Sequence, residues 1–76
     1  MIFEKVQEVI SEQMDLDKDS ITMDTHFLDD LGADSLDIFQ VIDELEDIYE
    51  IDFDTSALEN IRTVSDAVNY IKEAIQ

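Results

Sequence analysis

Proline is absent from this chain and glycine occurs once, at Gly32, so almost every residue is free to enter a helix and almost none specifies a tight turn. A turn-rich sandwich or barrel is excluded. The apolar residues recur instead at helical spacing. Ile2, Phe3, Val6, Val9, Ile10 and Met14 fall mostly three or four apart, which predicts an amphipathic helix over residues 3–14 with Glu4, Glu8 and Glu12 on its polar face. Periodicity then fades among Asp, Ser and Thr over residues 15–34, giving a long first loop with one short turn at residues 27–30. A loop of that length in a compact domain is usually functional.

The second helix has a clear start. Asp34 can accept from the first free amides, and Asp37, three residues later, adds negative charge at the positive end of the helix. Over residues 36–50, a wheel of about 100° per step gathers Ile38, Val41, Ile42, Leu45, Ile48 and Tyr49 into a core stripe. Leu36 and Phe39 fall outside it, among Gln40, Asp43, Glu46, Asp47 and Glu50, and this mixed face reads as a docking surface. Residues 55–61 suit a short third helix with Ala57, Leu58 and Ile61 inward and Thr55 or Ser56 as its cap. Thr63-Val64-Ser65-Asp66 reads as a capping box, followed by an apolar stripe of Val64, Ala67, Val68, Ile71, Ala74 and Ile75. The expected fold is all-α: a small bundle of three main helices plus one short helix, with the long first loop. A chain of 76 residues hides only roughly 60% of its unfolded surface, so a single domain over residues 1–76 is expected.

Charge narrows the function. Four Lys and Arg face twenty-one Asp and Glu, for a net charge of −17. Nucleic acid and anionic membrane surfaces are poor partners, since both need a basic face. No apolar run approaches the roughly 20 residues of a membrane span, and the early glutamates do not suit a signal peptide, so the expected location is the cytoplasm, without stable membrane insertion. Residues 19–61 hold fourteen of the acids and no Lys or Arg, a segregation that favours docking to basic partners over mere solubility. Self-repulsion on this scale also implies stabilisation by salt or divalent cations. There is no cysteine, so any sulfur chemistry must be imported.

Three chemistries are open to these residues. Asp15-Leu16-Asp17-Lys18-Asp19 begins like a calcium loop, but Ser20 stands where the sharp turn needs Gly and His26 where a bidentate Glu is required, so no metal site is expected. His26 is the sole histidine, and Gly-Ala-Asp-Ser-Leu is not the serine-hydrolase elbow, so the chain is not expected to be an enzyme and His26 reads as a partly exposed loop residue. The Met and Phe side chains read as core filling. Ser35 remains, at a helix start that suits an attached phosphodiester projecting into solvent better than a bound phosphate, because Asp34 and Asp37 oppose a gripped anion. From the residues alone, Ser35 is either such an attachment point or simply a member of the capping turn.

Asp29-Asp30-Leu31-Gly32-Ala33-Asp34-Ser35-Leu36-Asp37 resembles the phosphopantetheine-attachment motif of acyl carrier proteins of the bacterial fatty-acid synthesis type. Length, acidity, helix order, the long loop and the Thr63-Val64 helix start match as well, so the resemblance covers essentially the whole chain. It implies a non-catalytic carrier with 4′-phosphopantetheine esterified to Ser35, whose terminal thiol supplies the missing sulfur. It also implies as partners a phosphopantetheinyl transferase (holo-acyl carrier protein synthase) and fatty-acid synthesis enzymes with basic docking patches, meeting a monomer. The family's recognition positions correspond here to Asp34, Leu36, Asp37, Phe39, Gln40, Glu46 and Asp47. Gln40, where Glu is frequent, and Asp43, where an apolar residue is usual, depart from the common pattern and bear on partner choice. Aminoacyl (D-alanyl) or polyketide carriers share the same attachment chemistry. An acidic calcium-binding or scaffold protein is the alternative of another class.

Overall fold

In the computed structural model, which describes residues 1–76, helix α1 (Ile2–Met14) supplies Val6, Val9 and Ile10 to the core and packs against both later long helices. Helix α2 (Ser35–Tyr49) buries Val41, Ile42 and Leu45, and helix α4 (Val64–Ala74) buries Val64, Ala67, Val68 and Ile71. Helix α3 (Thr55–Asn60) has only six residues and no fully buried side chain, with Ala57 and Leu58 half-buried against the core. Three long helices and one short one therefore enclose the core, as the periodicity predicts.

The exceptions follow from geometry. Ile48 lies at the edge of its stripe and is exposed. In the fourth helix Ala74 is offset in the same way, while Ile75 is exposed because it follows the last helical residue. The cap of α3 is Asp54 rather than Thr55 or Ser56: its carboxylate accepts from Ala57 N at 2.7 Å, which starts the helix one residue earlier than a Thr55 cap and two earlier than a Ser56 cap. Met1 is 91% exposed and fills no core space, and Phe39 is 50% exposed; Met14 and Met23 pack against the core. The α1 and α2 helices end on Asp15 and Glu50, both left-handed at φ 55°, with their N–H groups donating back to Ser11 O and Glu46 O.

The first loop is anchored rather than loose. A 3-10 turn (Lys18–Ser20), too short to leave a periodic pattern, is capped by the Asp17 carboxylate, and Gln7 Nε2 donates to Lys18 O and Ile21 O at 3.2 and 2.7 Å. Ile21 and Phe27, each 1% exposed, plug the loop into the core. Farther along, Phe27 N donates to Arg62 O, Val64 N to Thr25 O and Ser65 N to Met23 O, each at 3.0 Å. The loop is thereby tied to the start of α4.

That start is the capping box expected from Thr63 and Asp66. Thr63 Oγ1 accepts from Asp66 N at 3.3 Å, and Asp66 Oδ2 accepts from Arg62 N and Thr63 N at 3.0 and 3.1 Å. Partial burial disfavours the Asp66 carboxylate, but the backbone donors of Arg62 and Thr63 outweigh it and hold the carboxyl below its ordinary range. A carboxyl depressed by folding contributes stability above its unfolded value, near pH 4, and loses it as pH falls through the folded value. Asp66→Asn should therefore lower the urea midpoint at neutral pH and shrink the loss of stability on acidification. Equal acid limbs in the two proteins would refute this.

Candidate functional site

Residues 26–33 fold back on themselves to present the next helix. Asp30 N and Leu31 N donate to His26 O, Gly32 N to Leu28 O and Ala33 N to Phe27 O, at 2.9–3.2 Å, while the Asp30 carboxylate accepts from His26 N at 2.8 Å. Gly32 takes φ 66°, the left-handed region that other residues resist, and a Cβ there would meet nothing within 4 Å. The penalty in Gly32→Ala is thus purely a backbone one, about 1–2 kcal/mol, to be read from urea denaturation. Ala33 is fully buried beneath the turn, and Asp34 then leaves it extended.

Asp34 and Asp37 close a reciprocal capping box, with Asp37 N donating to Asp34 Oδ1 at 3.0 Å and Asp34 N to Asp37 Oδ2 at 3.3 Å. Ser35, the first helical residue, is exposed, and its hydroxyl makes no hydrogen bond within the protein. Because the caps already occupy amides at this helix start and bring two carboxylates, a free anion finds little to hold it. A group bonded to Oγ needs no such grip. His26 Nδ1 sits 3.5 Å from Asp30 Oδ2, with its side chain half-exposed, and Ser35 Oγ is not hydrogen-bonded to the imidazole, so no nucleophile–base pair forms.

Of the residues expected on the recognition face, the structure brings four into one shallow cleft: Leu36, Phe39, Gln40 and Glu46 line a volume of about 340 Å3 with Phe53 and Leu58 from beyond the helix. Leu36 and Phe39 are 63% and 50% exposed. Asp47 lines an adjoining acidic cleft with Asp43, Glu46, Glu50 and Asp52, Asp43 and Glu46 being shared with the first, whereas Asp34 and Asp37 stand at the capping box beside Ser35. Glu46 has a structural hold as well: its Oε2 accepts from Phe53 N at 2.7 Å, fixing the segment in which Phe53 stacks on Tyr70 at 4.3 Å between ring centroids. Sequence reasoning missed Leu28, an exposed apolar residue of the loop, and Arg62, which lines the same cleft as Ser35. Leu28 was detectable only as a lone leucine beside acids; Arg62 lies twenty-seven positions downstream and leaves no local signal.

An attached phosphopantetheine fits these residues: the hydroxyl is free and exposed, and two clefts open beside it, one lined by Thr55, Leu58 and Glu59, the other by His26, Leu28 and Arg62. A family model for the phosphopantetheine attachment site matches residues 4–71. The chain is 46% identical over 72 residues to the acyl carrier protein of Clostridium acetobutylicum, covering 95% of this chain and 94% of that protein. It is 49% identical over 72 residues to the acyl carrier protein of Streptococcus pyogenes serotype M3, covering 95% and 93%. The solved acyl carrier protein from Enterococcus faecalis superposes with a TM-score of 0.81 at 34% identity, covering 96% of this chain and 92% of that one.

Proposed function

The chain belongs to the acyl carrier protein family, and from that premise we propose that Ser35 Oγ is the atom esterified to 4′-phosphopantetheine and that the exposed face of α2 presents the loaded arm to its partners. The protein is a non-catalytic carrier with a phosphopantetheine attachment site, serving fatty-acid synthesis. What supports Ser35 is its position: an exposed hydroxyl with no internal partner, held at the start of a 15-residue helix by a turn anchored through the buried Phe27 and Ala33. When attached, the group supplies a terminal thiol able to hold an acyl chain as a thioester.

The protein's own residues do the rest. The 26–33 turn and the Asp34–Asp37 box fix where the arm leaves the surface. Carboxylates along α2 attract basic patches, raising encounter rates in a salt-sensitive way, and Leu36 and Phe39 give the brief contact an apolar centre. Partners of the general kind are the synthase that loads the arm and the fatty-acid synthesis enzymes; Asp34, Asp37, Gln40, Glu46 and Asp47 complete the proposed face. This reading takes the chain as one monomeric carrier domain working in the cytoplasm. A single continuous core supports it, as does a surface whose carboxylates discourage self-association. No helix is long and apolar enough to cross a membrane.

Intact-mass analysis after incubation with coenzyme A and a phosphopantetheinyl transferase should show the gain of one phosphopantetheine, mapped to the peptide containing Ser35. Phe39→Ala should raise the KM of the transferase for this protein roughly tenfold, the size of a modest interface hot spot, with little change in thermal midpoint. An unchanged KM would remove Phe39 from the face.

A further inference from the structure

Six large apolar side chains of this protein are exposed, and three of them, Leu28, Leu36 and Phe39, gather around Ser35. Away from Met1, Leu28 is the most exposed of the six, at 67%. Leu36 and Phe39 already belong to the α2 face. Leu28 does not: it lines the cleft that Ser35 shares with the 26–33 turn, and no residue of that cleft lines the α2 cleft of Leu36 and Phe39. A lone exposed leucine is ordinary on a protein surface. One that borders the hydroxyl to be modified, across the helix start from two other exposed apolar residues, extends their patch to the second side of the serine.

Resting on the assignment of Ser35 as the attachment residue, we propose that Leu28 is a second apolar anchor of the docking face, a specificity residue for the transferase that loads the arm and not for enzymes that act on the loaded thiol. The chemistry of loading sets that distinction. Ser35 Oγ bonds to the pantetheine-side phosphorus of coenzyme A, that phosphorus loses its bond to the bridging diphosphate oxygen, adenosine 3′,5′-bisphosphate leaves, and the hydroxyl proton passes to a base of the transferase. Reacting atoms must approach to about 3–3.5 Å, so the transferase closes around the serine itself and meets side chains on both sides of it. An enzyme acting on the thiol reaches it through the arm and stands clear of Leu28. Charge agrees, because Asp29 lines the cleft beside Leu28 while Asp34 and Asp37 flank Ser35, so one basic rim with an apolar lip suits both sides. The basic groups of the Leu28 cleft face carboxylates of their own: Arg62 acts on Asp66, and His26 Nδ1 lies 3.5 Å from Asp30 Oδ2. The anchor is also pre-formed. Leu28 O accepts from Gly32 N at 3.1 Å, and the adjacent Phe27 is buried with its N–H donating to Arg62 O at 3.0 Å, so the leucine is presented without a further ordering cost.

The test is steady-state loading of the full chain by a phosphopantetheinyl transferase with coenzyme A, followed by intact mass. Leu28→Ala should raise the KM of the transferase for this protein about fivefold with kcat and the thermal midpoint unchanged, and Leu28→Asp should raise it further. Leu28→Met, which keeps an apolar side chain of similar size, should retain the wild-type KM. The second readout uses Leu28→Ala driven to full loading, as verified by mass, and offered to an acyltransferase that charges the arm's thiol from malonyl-coenzyme A; its KM should match that for the loaded wild type. An unchanged loading KM in Leu28→Ala and Leu28→Asp, an equal rise in both enzymes' KM, or a loss of loading that follows a lowered thermal midpoint would each overturn the role of Leu28 while leaving Ser35 in place. A wild-type chain that gains no mass overturns both.

Discussion

Ser35→Ala should abolish phosphopantetheine loading completely while leaving the protein folded. The hydroxyl is the only group removed, and it has no hydrogen-bonding partner within the protein. The interactions that start the helix belong to its neighbours: Asp34 and Asp37 keep their reciprocal bonds, and Ala33 keeps its buried place beneath the turn. Alanine is also the best helix former, so its cost at an exposed first helical position lies within about 0.5 kcal/mol. Intact mass with coenzyme A and transferase measures the loading, and circular dichroism with a thermal scan measures the fold. Any residual mass gain in the alanine variant would place the arm on another hydroxyl, among which Ser56 and Thr55 are also exposed on a helix start. Loss of loading together with loss of the fold would instead give Ser35 a structural role that its surroundings do not show.

How much of this was legible in the sequence depends on the range of the interaction. The long helices were readable because their stripes are local, repeating every three or four residues, and both capping boxes were readable because cap and partner stand three residues apart. The edges of the stripes were not: whether Ile48 is covered depends on what packs against it, and it is left 41% exposed. The Asp54 cap was missed because Asp, Thr and Ser stand in a row, and only backbone geometry chooses among them. At the site, the proposal for Ser35 and the α2 face rests on residues adjacent in sequence. The Arg62 wall could not be read in this way, since it reaches the serine through the packing of two distant loops.

That packing gives the second large effect. Phe27→Ala should destabilise the protein by about 3–5 kcal/mol, the usual cost of emptying a buried aromatic site. Phe27 is 1% exposed and lies near the start of the turn that leads into Ser35; its N–H donates to Arg62 O and its carbonyl accepts from Ala33 N. A domain of this size is stabilised by about 4–11 kcal/mol at the usual per-residue value, so the loss takes a large share of the total. Nearby smaller residues cannot close the gap, because Ala33 and Val64 are themselves held by backbone bonds to the loop. Loading should fall too, but for a different reason from that in Ser35→Ala. In Phe27→Ala the serine is present on a turn that is no longer held, so conditions that restore folding, such as added magnesium or lower salt-free repulsion at mild acid, should restore loading. No such condition can restore it in Ser35→Ala. A Phe27→Ala protein whose urea midpoint falls by less than the equivalent of about 1 kcal/mol would mean that the loop rides on the core without being part of it, and the placement of Ser35 would then need another support.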